Sequence, residues 1–124
     1  MCSRPHVHLR HDLCDPTRSV LHVTSHYAHF NMYLRLNVPQ YTDISSVARL
    51  AEYEKLPVPT DTEGIFNILG NQANSTWPVY RTATPPDSAM TLATALFSSE
   101  ARQMGVVMNN PITSKPLFHL AMGS

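Results

Sequence analysis

Cysteine and histidine gather near the start of the chain, where Cys2, His6, His8, His11 and Cys14 follow one another closely. Imidazole nitrogen and thiolate sulfur are both suited to zinc, and four such groups suffice to enclose a tetrahedral ion. Their spacing matches no common zinc-finger pattern, so adventitious metal affinity of a loose segment is the competing account, and no metal site is assigned. His22, His26 and His29 form a looser series, for which strand or turn placement is the simpler reading. Further on, Ser46 and Arg49 stand three positions apart, and a guanidinium there can grip a carboxylate through two parallel hydrogen bonds. The competing account for Arg49 is a surface helix arginine paired with nearby acidic side chains.

These groups need elements to hold them. Residues 1–19 are rich in charge and histidine and poor in apolar positions, so a flexible arm is expected there. The β-prone run at residues 20–24 predicts a strand, and the alternation of Tyr33, Arg35 and Asn37 with Leu34, Leu36 and Val38 suggests another at 33–38. Asp43 can cap a helix over 44–55, in which Ile44, Val47, Ala48 and Ala51 recur at helical spacing and predict a helix lying on a sheet. Thr60 and Glu63 are spaced as a capping box for a second helix, with Ile65, Phe66, Ile68 and Leu69 as its apolar face and Gly70-Asn71 as its stop.

The C-terminal third reads differently. Residues 77–81 suit a short extended segment, and 82–88 form a polar loop containing Pro85 and Pro86. Two β-prone runs, 89–97 and 102–108, are joined by a short polar turn, and a third apolar run covers 117–120, so a meander is expected. Neither face of the first run is strongly polar, which suits a strand covered on both sides. The expected class is α+β: a mainly antiparallel sheet with two helices packed on one face, all within a single domain over 20–124.

Composition narrows the partners. A chain of 124 residues with 43% apolar residues is large enough for one core. Nine basic residues balance nine acidic ones, leaving no field that would draw the chain to nucleic acid or to an anionic membrane. No apolar run approaches the ~20 residues that span a bilayer, and the N-terminus lacks the apolar core of a secretory signal. A soluble, cytoplasmic protein without a cofactor is expected. Asn74-Ser75-Thr76 matches a glycosylation acceptor, a pattern that matters only on a secretory route.

The order Thr24-Ser25-His26-Tyr27, Asp43 through Arg49, a capped helix ending Ile68-Leu69-Gly70, Pro78 through Arg81, and Thr91 through Phe97 resembles the C-terminal part of the peptidase C45 and acyl-coenzyme A:6-aminopenicillanic acid acyltransferase family. The resemblance covers most of residues 20–122 and rests on the order of these segments. It implies an N-terminal-nucleophile hydrolase of αββα layering, in which a self-cleaved precursor frees a cysteine that attacks an amide or thioester carbonyl. It also implies an oxyanion site, where the family carries an asparagine in a Thr-Asn-His-Tyr/Phe-like motif. Here Ser25 occupies that place, with a shorter side chain and a hydroxyl donor, and a serine in a turn is the plainer reading of it.

By the same resemblance, Ser25, His26 and Arg49 are the pocket residues, and the nucleophile-bearing region is missing. Cys2 would imitate the nucleophile on loss of Met1, but Arg4-Pro5 breaks a strand at once and little chain separates it from Thr24. The expectation is a fragment or subunit that is inactive alone, which pairs with a nucleophile-bearing subunit or self-associates through an uncovered sheet, and whose substrate is a small amide or acyl compound. The alternative is a small non-enzymatic interaction protein that binds metal through its His/Cys-rich N-terminal arm.

Overall fold

A computed structural model describes residues 20–123 of the chain. The expected arm, and with it Cys2, Cys14 and the metal-binding alternative, lies outside these residues. The described part contains two helices, α1 (Ile44–Tyr53) and α2 (Thr62–Leu69), followed by three strands, β1 (Thr94–Ser98), β2 (Gln103–Val107) and β3 (Phe118–Ala121). The class is α+β, as expected, with an antiparallel sheet in the order β1-β2-β3.

Both helices begin on an aspartate. Asp43 accepts hydrogen bonds from the Ser45 and Ser46 amides, as its position before the apolar periodicity predicts. In α2 the cap is Asp61, whose carboxylate takes the Gly64 amide at 2.7 Å, so the expected Thr60–Glu63 capping box does not form. A carboxylate one position further on satisfies one orphan amide of the first turn and carries the negative charge that a helix N-terminus favours.

The face α1 buries is not the expected one. Ser45, Ser46 and Glu52 are buried, whereas Ile44, Val47 and Ala51 are exposed. The polar face can go inside because Asp43 and Arg49 satisfy its serines, and among the described residues no buried side-chain polar atom lacks a partner. Extensive contact between named elements is confined to neighbouring strands. α2 reaches the sheet region through the loop after β2, where Asn110 Nδ2 donates to the Gly70 carbonyl at 2.9 Å and to Gln72 Oε1 at 3.3 Å. A Cβ at residue 70 would overlap Asn110 Oδ1 and Ile112, so this helix end requires glycine for close approach.

Residues 20–43 carry neither of the two strands expected at 20–24 and 33–38. In the second stretch the Tyr33 backbone is satisfied locally, its amide donating to Gln40 Oε1 and its carbonyl accepting from Gln40 Nε2. A side chain thus does what a ladder partner would do, and the apolar side chains Leu34, Leu36 and Val38 stay exposed. Residues 77–81 form no strand, and the bend that leads into them is held by Asn74 Oδ1, which accepts from the Thr76 and Trp77 amides.

The meander is the best-formed part. β1 pairs with β2 from Thr94↔Val107 to Ser98↔Gln103, and β3 pairs with β2 from Gln103↔Ala121 to Val106↔Phe118. Thr94, Gly105 and Val107 turn to the buried side of the sheet. Side chains alternate along each strand, so Ala95, Phe97, Met104, Val106, Phe118 and Leu120 share the opposite face. The two-sided cover expected for the first strand is therefore present on one side only.

Candidate functional site

A cleft of about 530 Å³ opens between residues 25–30 and α2. Tyr27, Phe30 and Tyr53 give it aromatic lining, and Ile65, Ile68 and Val79 add aliphatic lining. Tyr53 is the last residue of α1, and its ring lies 5.8 Å from that of Phe30 at an interplanar angle of 52°, a tilted aromatic pair. The helical periodicity of α2 puts Ile65, Ile68 and Leu69 on one side, which is why one short helix supplies much of the apolar lining.

Ser25 and His26 both line this cleft, and both are exposed. His29 joins them, with Tyr27 Oη and His29 Nδ1 3.5 Å apart and their rings stacked 6.4 Å apart. No aspartate, glutamate, lysine or arginine is part of the lining. An apolar group can enter without stripping water from a fixed charge, while the serine hydroxyl and the imidazoles offer hydrogen bonds at the mouth.

Arg49 is not among the cleft-lining residues, so the expected triplet of Ser25, His26 and Arg49 is divided. Its guanidinium folds back along α1. Nε donates to the Ser45 carbonyl at 3.0 Å, and one terminal nitrogen donates to Ser46 Oγ at 3.2 Å and Ser45 Oγ at 3.4 Å. The ion pair of the competing account is absent among the described residues; Glu52 of α1 pairs instead with Lys55, just beyond the helix, at 2.8 Å.

Arg49 lies near a second, polar centre that sequence reasoning missed. Arg81 grips the buried Asp87 through Nε and a terminal nitrogen, with Nε 2.9 Å from Oδ2, and Asp87 Oδ1 also accepts the Ala89 amide at 3.1 Å. The hydrogen bonds from Arg81 hold the Asp87 carboxyl below the ordinary carboxylate range. Burial, together with the nearby Arg81 cation, lowers Arg49, while Asp87 and Asp43 oppose that shift. The Ser45 hydroxyl and amide hold Asp43 low in the same way. The signal in the sequence was a pair of opposite charges bracketing the Pro85-Pro86 turn, Arg81 before it and Asp87 after it.

Among the described residues no group of three or more histidine, cysteine, aspartate or glutamate side chains is placed to hold a metal ion, so His22, His26 and His29 do not converge. No helix there is long and apolar enough to cross a membrane. Comparisons with protein-family models, curated proteins and solved structures find no match to this chain.

Proposed function

We propose that residues 20–123 are the scaffold and substrate-binding part of a cysteine N-terminal-nucleophile amidase or acyltransferase, and that this chain is inert alone. In this reading the helices and the sheet are one α layer and one β layer of an αββα sandwich, and a separate nucleophile-bearing polypeptide completes the site at the cleft mouth. The observation that supports it best is Ser25 and His26, both exposed, in the lining of a largely apolar cleft without aspartate, glutamate, lysine or arginine. That arrangement suits the side chain of a small amide or acyl compound, with its carbonyl left near the hydroxyl and imidazoles. Residues 20–124 contain no cysteine to attack it.

The full chain, titrated with a neutral aliphatic or aryl amide and observed by methyl and imidazole NMR, should show shifts at Ile65, Ile68 and His26. A thioester offered for a single turnover should leave no acyl adduct in the intact mass. Shifts confined to other residues would refute the cleft, and an adduct on Cys2 would refute the inactivity.

A further inference from the structure

A second pocket, of about 160 Å³, lies between the loop after α2 and the loop that carries Asp87. It shares no residue with the apolar cleft. Pro78 and Asp87 are buried and form its floor, while Gln72, Ser75, Thr82 and Thr84 are exposed and form its rim. Main-chain hydrogen bonds fix both walls. The Tyr80 amide donates to the Asn71 carbonyl at 2.9 Å, the Ala83 amide to the Ala89 carbonyl at 3.0 Å and the Asp87 amide to the Thr84 carbonyl at 2.9 Å. Between the two threonines Ala83 is held in the left-handed region at φ 56, a conformation that persists only where its surroundings impose it.

The polar groups of the lining have capacity left over, and it differs from group to group. Half-buried Asn74 spends its Oδ1 on the Thr76 and Trp77 amides, so its Nδ2 still has donors to offer. Gln72 spends its Oε1 on Asn110 and likewise keeps a donor nitrogen. The Thr82 and Thr84 hydroxyls lie 3.0 Å apart, and whichever accepts from the other retains its own proton to give. Asp87 is the one acidic residue in the lining. Among the described residues its Oδ2 accepts from Arg81 Nε alone, which leaves a lone pair to be met.

That inventory narrows the ligand. An anion would meet the Asp87 carboxylate and no lysine or arginine in the lining. A cation would meet a carboxylate whose charge Arg81 already balances. Hydrocarbon would strip water from amides and hydroxyls without replacing it. A hydroxyl donates and accepts at once, and so can serve the carboxylate and an amide together. We propose that this pocket binds a neutral polyhydroxyl compound the size of one sugar ring, with one hydroxyl donating to Asp87 and its neighbours accepting from Asn74 and Gln72. Its volume equals that of about five waters at ~30 Å³ each, whose places the ligand hydroxyls would take. Neither the cleft nor any nucleophile enters, so the proposal stands or falls separately from the chemistry above.

NMR titration of the full chain with glucose, glucosamine and glucuronate tests it at about pH 6, where the amine and the carboxyl are both charged. The three share a ring and differ in charge. Glucose should saturate with a Kd on the order of 1 mM, shifting the Asn74 and Gln72 side-chain amides and the Thr82 and Thr84 methyls, and both charged sugars should bind more weakly. Asn74→Asp keeps an oxygen for the Thr76 and Trp77 amides but removes the donor; it should weaken glucose by about tenfold and turn the preference toward glucosamine. Thr82→Val, of similar shape without the hydroxyl, should weaken glucose by about threefold and decides the matter if Asn74→Asp does not fold. Shifts that stay linear for all three sugars up to about 100 mM, a hundredfold above that Kd, overturn the proposal. So does glucosamine binding the parent as tightly as glucose, or glucose binding unchanged in a folded variant.

Discussion

The Asn110 side-chain amide donates to the Gly70 carbonyl at 2.9 Å across 40 positions of sequence, tying the end of α2 to the loop that follows β2. The same side chain accepts the Ile112 amide at 3.0 Å, so one asparagine organises the loop and anchors it to the helix. Replacing Asn110 with alanine is expected to cost about 1–2 kcal/mol, the value of a hydrogen bond plus the penalty of an orphaned carbonyl. Gly70→Ala should cost about 1–3 kcal/mol by overpacking against Asn110 and Ile112. Urea midpoints check both, and a Gly70→Ala protein as stable as the parent would contradict the close approach.

Arg81→Ala strands the Asp87 carboxylate in a buried place and should destabilise the fold by about 3 kcal/mol. Removing both partners should cost less than the sum of the single losses, with a coupling of about 1–3 kcal/mol in a double-mutant cycle. Additive losses would mean that the pair is structurally incidental.

Acid should weaken the protein in a defined direction. Asp87 and Asp43 both have native pKa values below the ordinary aspartate value. A group depressed in the folded state contributes stability that is present in full above the unfolded value of about 3.9 and is lost as pH falls through the native value. Chemical denaturation at several pH values should therefore show a decline beginning near the ordinary carboxylate range and steepening below it. Asp87→Asn should flatten that acid branch, and an unchanged branch would assign the effect elsewhere.

Arg102 sits in the left-handed region at φ 50 in the turn between β1 and β2. A residue with a Cβ pays about 1 kcal/mol there, which glycine avoids, although glycine also gains entropy in the unfolded chain. Arg102→Gly should be neutral to stabilising by a few tenths of a kcal/mol, whereas Arg102→Val should destabilise by about 1 kcal/mol. Thermal midpoints of the two variants should separate in that order.

Leu69→Arg places a cation in the cleft wall from a position that is already partly exposed. Binding of a neutral apolar amide should weaken by about tenfold or more, while the urea midpoint shifts little. Equal loss of binding and of stability would show that Leu69 supports the fold rather than the ligand.

Local chemistry made the helices and the meander legible. Asp43 announces α1 by its place before a periodic run, and the polar residues Ser98, Ser99, Glu100 and Arg102 announce a turn between two β-prone runs. The same reasoning misplaced strands at 20–24 and 33–38, because alternation records a tendency to extend and not the presence of a partner. Gln40 supplied the Tyr33 backbone with a local one. It also misjudged α1, where the apolar stripe of Ile44 and Val47 stays outside while Ser45 and Ser46 go in. The reason is an Arg49 side chain that turns back on its own helix. Ser25 and His26, which the resemblance names as pocket residues, are among the residues lining a cleft, whereas Tyr27, Phe30 and Tyr53 beside them carry no signature beyond being aromatic.

The exchange of apolar for polar burial also bears on how the molecule melts. Among the described residues the buried hydrophobic side chains are Ile68, Tyr80 and Val107, while Ser46 and Asp87 are among the most enclosed. Heat capacity rises on unfolding with newly wetted hydrocarbon and falls with newly wetted polar surface. This chain should therefore have a shallow stability curve, a small denaturant slope and a broad calorimetric transition, each of which sharpens when hydrocarbon from outside is added to its own.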